Sequence, residues 1–173
     1  MLTSVPNFVV LVVAGIACVC DLKTRRIPNL LTMGAAALAL VFHTLGSGWN
    51  GAFLSASGII VGLAIFFPLF MLGGMGAGDV KLVGALGAWL GPANALWTAV
   101  YGAIAGGVLA LVVAVSSRYL WRALSNLRGL LFYWAVAGVR PMPALTLADA
   151  RGPRLAYAIP ISIGAVITVW LRA

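Results

Sequence analysis

Acid–base chemistry in this chain rests on three carboxylates, Asp21, Asp79 and Asp149, with no Glu beside them. Asp79 has the most demanding setting. Glycines occupy positions 73, 74, 76 and 78 just before it, and apolar segments flank the stretch on both sides. An ionisable group beside lipid is costly and is usually kept for function. Two aspartates brought together cannot both ionise, so they share a proton. One form then takes a proton from water while the other donates to a scissile carbonyl. Such a pair needs nothing further from the side-chain inventory, and little else is on offer. One His and two Cys cannot build a metal hydrolase or a zinc site, so no metal and no cofactor is expected. The glycines before Asp79 lack the Lys-Ser/Thr ending of a phosphate loop, and no dinucleotide fingerprint occurs. Serine chemistry would rest on Ser55 or Ser57 with His43, and no acid lies near to orient that base.

The elements that must position these acids are membrane spans. The chain is 63% hydrophobic and 8% charged, with a mean hydropathy of +1.10. A soluble domain carries roughly 25% charged residues, and this chain cannot cover itself in water. The expected fold is an all-α membrane protein, one integral-membrane domain over 1–173, with six transmembrane helices. These run at about 5–20, 29–45, 52–72, 79–92, 93–115 and 155–171, with a connection over 116–154. Pro28 suits the first turn of the second helix, where its missing N–H costs nothing. Pro68 is expected to kink the third span near its end, and Pro160 falls inside the sixth. Gly58 and Gly62 form a small-xxx-small pair that lets a neighbouring helix approach. From Asp79 to Leu90 a helix rises only about 18 Å against a hydrocarbon core of ~30 Å. Either this segment continues past Pro92 or the glycine-rich loop enters the membrane. Cys18 and Cys20 lie inside the first span and read as packing residues.

In the long connection, Leu120, Leu124, Leu127 and Leu131 recur at helical spacing opposite Arg118, Arg122 and Ser125. The pattern predicts a cytoplasmic amphipathic helix along the membrane surface, between spans five and six. Positions 129–139 are apolar but too short to span, and read as re-entrant or packed on the bundle. The formal charge of +8 is distributed between apolar spans, a pattern of membrane orientation rather than of nucleic-acid binding. Ten of the eleven basic residues fall on one side; only Arg172 is on the other. The positive-inside rule makes that side cytoplasmic, with both termini outside and all three acids inside. Asp21-Leu22-Lys23 and Asp79-Val80-Lys81 share an Asp-x-Lys pattern. Lys23 and Lys81 are read either as tuning the carboxylates or as ordinary cytoplasmic anchors. Asp149, close to Arg151 and Arg154, reads as a solvated surface acid.

Two stretches resemble a known family. Gly76-Ala77-Gly78-Asp79-Val80-Lys81-Leu82 is similar to the Gly-x-Gly-Asp motif of membrane aspartic peptidases. Asp21 followed by Arg26-Ile27-Pro28-Asn29 resembles the first-aspartate motif of type IV prepilin peptidases. Both occur in order at span boundaries, and a six-span core of that family would occupy the whole chain. The resemblance implies that Asp21 and Asp79 are the catalytic pair, supported by Gly76, Gly78, Lys81, Lys23, Pro28 and Asn29. It implies a bacterial inner-membrane enzyme that cuts short basic leaders from pilin-like precursors at the cytoplasmic face. A sequence starting at its first span resembles the short, peptidase-only type associated with tight-adherence (Flp-like) pili, without methyl transfer or zinc. A basic leader gains no attraction from a basic face, so anionic membrane lipids are the expected recruiting partner. The glycines before Asp79 would let a substrate backbone approach it.

Two other classes stay open on the residues alone. A transport or proton-relay protein would use the same acids, though it calls for a polar path to the outer half, where the loops carry no acid. A non-catalytic pilus-assembly subunit would tolerate loss of both acids.

Overall fold

The computed structural model describes residues 4–142 and 155–172, so Asp149, Arg151 and Arg154 lie outside the described residues. Every regular element among those described is helical: α1 (Ser4–Thr24), α2 (Asn29–Met71), α3 (Ala77–Ser116), α4 (Leu120–Ala137) and α5 (Ala158–Arg172). α1, α2 and α3 are each long and apolar enough to cross a membrane. Large apolar side chains such as Phe8, Phe53 and Ile104 face outward, as a hydrocarbon surrounding requires. This is an all-helical membrane protein.

The described residues form five helices where six spans are expected from the sequence. The difference lies at two breaks. Straight, the 43 residues of α2 would reach about 64 Å, twice a hydrocarbon core. The backbone leaves helical geometry at Ser47 (φ −141°, ψ 15°) and Gly48 (φ 57°, ψ −136°). Gly48 takes a left-handed conformation that is cheap only for glycine, and beyond it Gly51 lies directly against the His43 carbonyl. α3 breaks in the same way at Gly91 (φ 77°, ψ 171°), immediately before Pro92. Both breaks fall where the sequence carries Gly-Ser-Gly and Gly-Pro. Pro68, expected to kink, sits inside α2 without a departure from helical dihedrals. It lies in the last turn, and α2 simply ends three residues later.

α2 and α3 make the most extensive helix contact of the fold. Gly58 lies against the Gly87 carbonyl and Gly62 against that of Val83, so the two backbones touch where a side chain would separate them. Residues 82–89 of α3 are buried on every side. Protein, not lipid, encloses this segment, and past the break at Gly91 the helix runs on to Ser116. Gly164 of α5 lies against Gly102 and the Thr98 carbonyl. Buried polar groups are paired across the same seams. Trp89 Nε1 donates to the Ala35 carbonyl at 2.9 Å, and Thr98 Oγ1 to Thr168 Oγ1 at 3.2 Å.

α5 begins at Ala158, so Pro160 belongs to its first turn, where the missing N–H has no helical partner to lose. α4 is one continuous helix with no buried residue, and it absorbs most of the 129–139 stretch. None of that stretch is buried, though Leu130 and Trp134 share a cavity with Leu69 and Leu72 at the end of α2. Gly138 (φ 78°) stops the helix.

Candidate active site

α1 ends because its sequence cannot continue it. Thr24 Oγ1 turns back to the Cys20 carbonyl at 2.8 Å, Arg25 swings to φ 54°, and Pro28 forces the preceding residue away from helix. Asp21 thus belongs to the last turn of α1, not to the loop beyond span one. The residue is only 8% exposed. The C-terminal end of a helix is an unfavourable place for a buried negative charge. The compensation comes from α5, whose Ala158 N–H donates to Asp21 Oδ2 at 3.2 Å. This donor is one of the N–H groups a helix start leaves without a partner.

α5 is held against α1 by further hydrogen bonds near this contact. Cys18 Sγ donates to Ser162 Oγ (3.1 Å) and approaches the Ala158 carbonyl (3.4 Å), while Ser162 Oγ donates to the Ala14 carbonyl (3.0 Å). Cys18 is therefore a polar tie as well as a packing residue; both cysteines are free thiols.

Asp79 stands in the first turn of α3, where the helix dipole favours a carboxylate. Gly76 occupies the N-cap, and its carbonyl accepts the Asp79 N–H at 3.2 Å. A Cβ on Gly76 would lie 3.0 Å from Asp79 Oδ2, and one on Gly78 would lie 3.3 Å from the Ile27 Cβ. Neither glycine has a positive φ, so close approach explains both of them. Lys81 Nζ donates to Asn29 Oδ1 at 2.9 Å, tying the first turns of α3 and α2. Pro28 sits one position earlier than expected, at the N-cap of α2, where its carbonyl accepts the Leu31 and Thr32 N–H groups.

These contacts bring the Asp21 turn and the Asp79 turn to one end of the bundle, near enough for the charge on Asp21 to act on Asp79. Gly76, Gly78, Lys81, Pro28 and Asn29 border the same place. Lys23 does not join them: it is exposed in the last turn of α1, with no contact to either acid among the described residues. Tyr157, just before α5, was not singled out from the sequence. It is half-buried and lies within the electrostatic reach of Asp79. An aromatic hydroxyl at the edge of the last apolar run was the available signal. His43 is remote from these residues and bonds to the Trp89 carbonyl at 3.2 Å, while Ser57 bonds to that of Leu54. Neither serine is paired with it among the described residues.

A family model described as the type IV leader peptidase family matches residues 8–111, a stretch containing both Asp21 and Asp79. Over 96 residues the chain is 36% identical to the prepilin leader peptidase/N-methyltransferase of Legionella pneumophila, covering 50% of this chain and 33% of that protein. The chain thus spans about a third of the length of the curated relative it matches. No solved structure matches it. With more than half its length matched, the chain belongs to the type IV leader peptidase family.

Proposed function

We propose that this protein is a membrane-boundary aspartic endopeptidase that removes the leader of prepilin-like precursors, with Asp21 and Asp79 as its catalytic pair. The observation that supports the reading is that two aspartates from separate helices lie within each other's electrostatic reach at one bundle end, Asp21 beside the start of α5 and Asp79 in the first turn of α3. In the resting pair one carboxyl keeps the shared proton. The ionised partner takes a proton from water as the water oxygen bonds to the scissile carbonyl carbon. The protonated partner donates to the carbonyl oxygen. Collapse of the tetrahedral intermediate breaks the C–N bond, and the departing amine takes a proton from the pair. The proposal covers leader cleavage alone.

The two broken helices support reading α2 and α3 as two spans each, which with α1 and α5 makes six crossings and puts both termini outside. The basic residues support a cytoplasmic active face in the inner membrane. The substrate would be a pilin-like precursor with a short basic leader, of the tight-adherence type, recruited with the help of anionic lipids. The test is reconstitution in lipid vesicles with such a precursor and mass spectrometry of the released leader. Asp21→Asn and Asp79→Asn should each cut the rate by at least about 10²-fold while inserting normally. Cleavage at the normal rate by either variant would remove the pair as the catalyst.

A further inference from the structure

Hydrolysis by a carboxylate pair supplies one donor to the scissile carbonyl oxygen, and a second, preorganised donor would speed it further. As water adds to the scissile carbonyl, charge grows on its oxygen, and preorganised hydrogen-bond donors aimed there lower the barrier. Lys81 is tied to Asn29, and the Ala158 N–H is taken by Asp21. Tyr157 directly precedes the Ala158 whose N–H binds Asp21, and it lies within the electrostatic reach of Asp79. Its ring packs against the buried core. Its hydroxyl has no hydrogen-bond partner among the described residues. The start of α5 is fixed by the Cys18–Ser162–Ala14 hydrogen bonds, so Tyr157 holds a set position relative to Asp21.

Resting on the peptidase reading above, we propose that Tyr157 is a third catalytic residue, whose hydroxyl donates a hydrogen bond to the scissile carbonyl oxygen during water addition. A phenol suits the task because it offers one neutral donor and does not compete with the carboxylates for the shared proton at neutral pH. No proton leaves the phenol, so the balance of the hydrolysis is unchanged.

The experiment is steady-state cleavage of a prepilin precursor by the reconstituted protein carrying Tyr157→Phe, with wild type and Asp21→Asn in parallel. The expected result is a fall in kcat of about 10²-fold, with KM within twofold and the shape of the pH–rate profile retained. Wild-type kcat in Tyr157→Phe, or a loss confined to KM, would overturn the proposal while the inactive Asp21→Asn left the carboxylate pair standing. Absence of cleavage by wild type would instead strike the peptidase reading. Should Tyr157→Phe fail to insert, 3-fluorotyrosine placed at 157 changes donor acidity with almost no change in shape. Its kcat should differ from wild type, and an indifferent kcat would overturn the role.

Discussion

Gly76 and Asp79 are bound into one turn, the glycine carbonyl accepting the aspartate N–H while its missing side chain leaves room for the carboxylate. Gly76→Ala would push a methyl group against Oδ2 at 3.0 Å. The carboxylate must turn or shift by a few tenths of an ångström, and misplacement on that scale costs catalysis more than folding. Cleavage by Gly76→Ala should fall about tenfold or more, whereas Gly15→Ala, with nothing within 4 Å of the new methyl, should cleave normally. Across the site, Ser162 both accepts from Cys18 and donates to Ala14. Ser162→Ala should lower stability by about 1–3 kcal/mol through the unpaired groups it leaves, read as thermal unfolding in detergent. Cys18→Ser keeps the hydrogen-bonding pattern and should lose much less. Asp79 was legible in the sequence because an acid after four glycines has no cheap explanation. Asp21 needed the Ile-Pro-Asn pattern that follows it. Ser162 was not legible, because its value lies in contacts with α1 from almost the whole chain away, and Tyr157 was not, because only the fold brings it within reach of Asp79.

α2, α3 and α5 meet through glycine surfaces, where backbone lies directly against backbone. Inside lipid, apolar bulk gives helices no reason to associate, and close backbone packing must supply the attraction. The Gly58–Gly62 pair announced such a surface; its partner did not announce itself. Val83, Gly84 and Gly87 supply it, on a segment whose complete burial from 82 to 89 has no periodic signature to read. A helix apolar on every face gives no clue to which side is covered. Gly58→Val would set a branched side chain into the Gly87 carbonyl, with backbone on both sides and nothing flexible to yield. The expected cost exceeds about 4 kcal/mol, seen as loss of monodisperse protein in detergent. Gly107→Val, exposed and without neighbours within 4 Å, should leave the protein intact. The breaks, by contrast, were legible from local chemistry, since Gly48 and Gly91 adopt backbone conformations that few other residues take. The extent of α4 was not, because apolar content alone does not say whether a short run continues a surface helix.

At the scale of the molecule, the two ends of the bundle differ in kind. One end gathers Asp21, Asp79, Tyr157 and the basic turn after α1. The other holds a cavity of about 550 Å³ bordered by Pro6, His43, Ser47, Leu90, Asn94 and Arg172. Residues from near both ends of the chain and from both helix breaks therefore line one cavity at the end away from the acids, in keeping with the six crossings proposed above. In the orientation proposed above, the charge asymmetry puts the acids at the cytoplasmic surface. Sided labelling tests this without reference to catalysis. In a Cys18→Ser, Cys20→Ser background, Lys23→Cys and Asn50→Cys each add one exposed thiol, the first beside Asp21 and the second just beyond the α2 break. A membrane-impermeant maleimide applied to spheroplasts should label Asn50→Cys at once and Lys23→Cys only after permeabilisation. The reverse order would turn the protein over and put the pair on the outer face, where a leader still in the cytoplasm could not reach it. Labelling of both before permeabilisation would mean an odd number of crossings between positions 23 and 50 is wrong, and would dissolve the division of α2 at Gly48 into two spans.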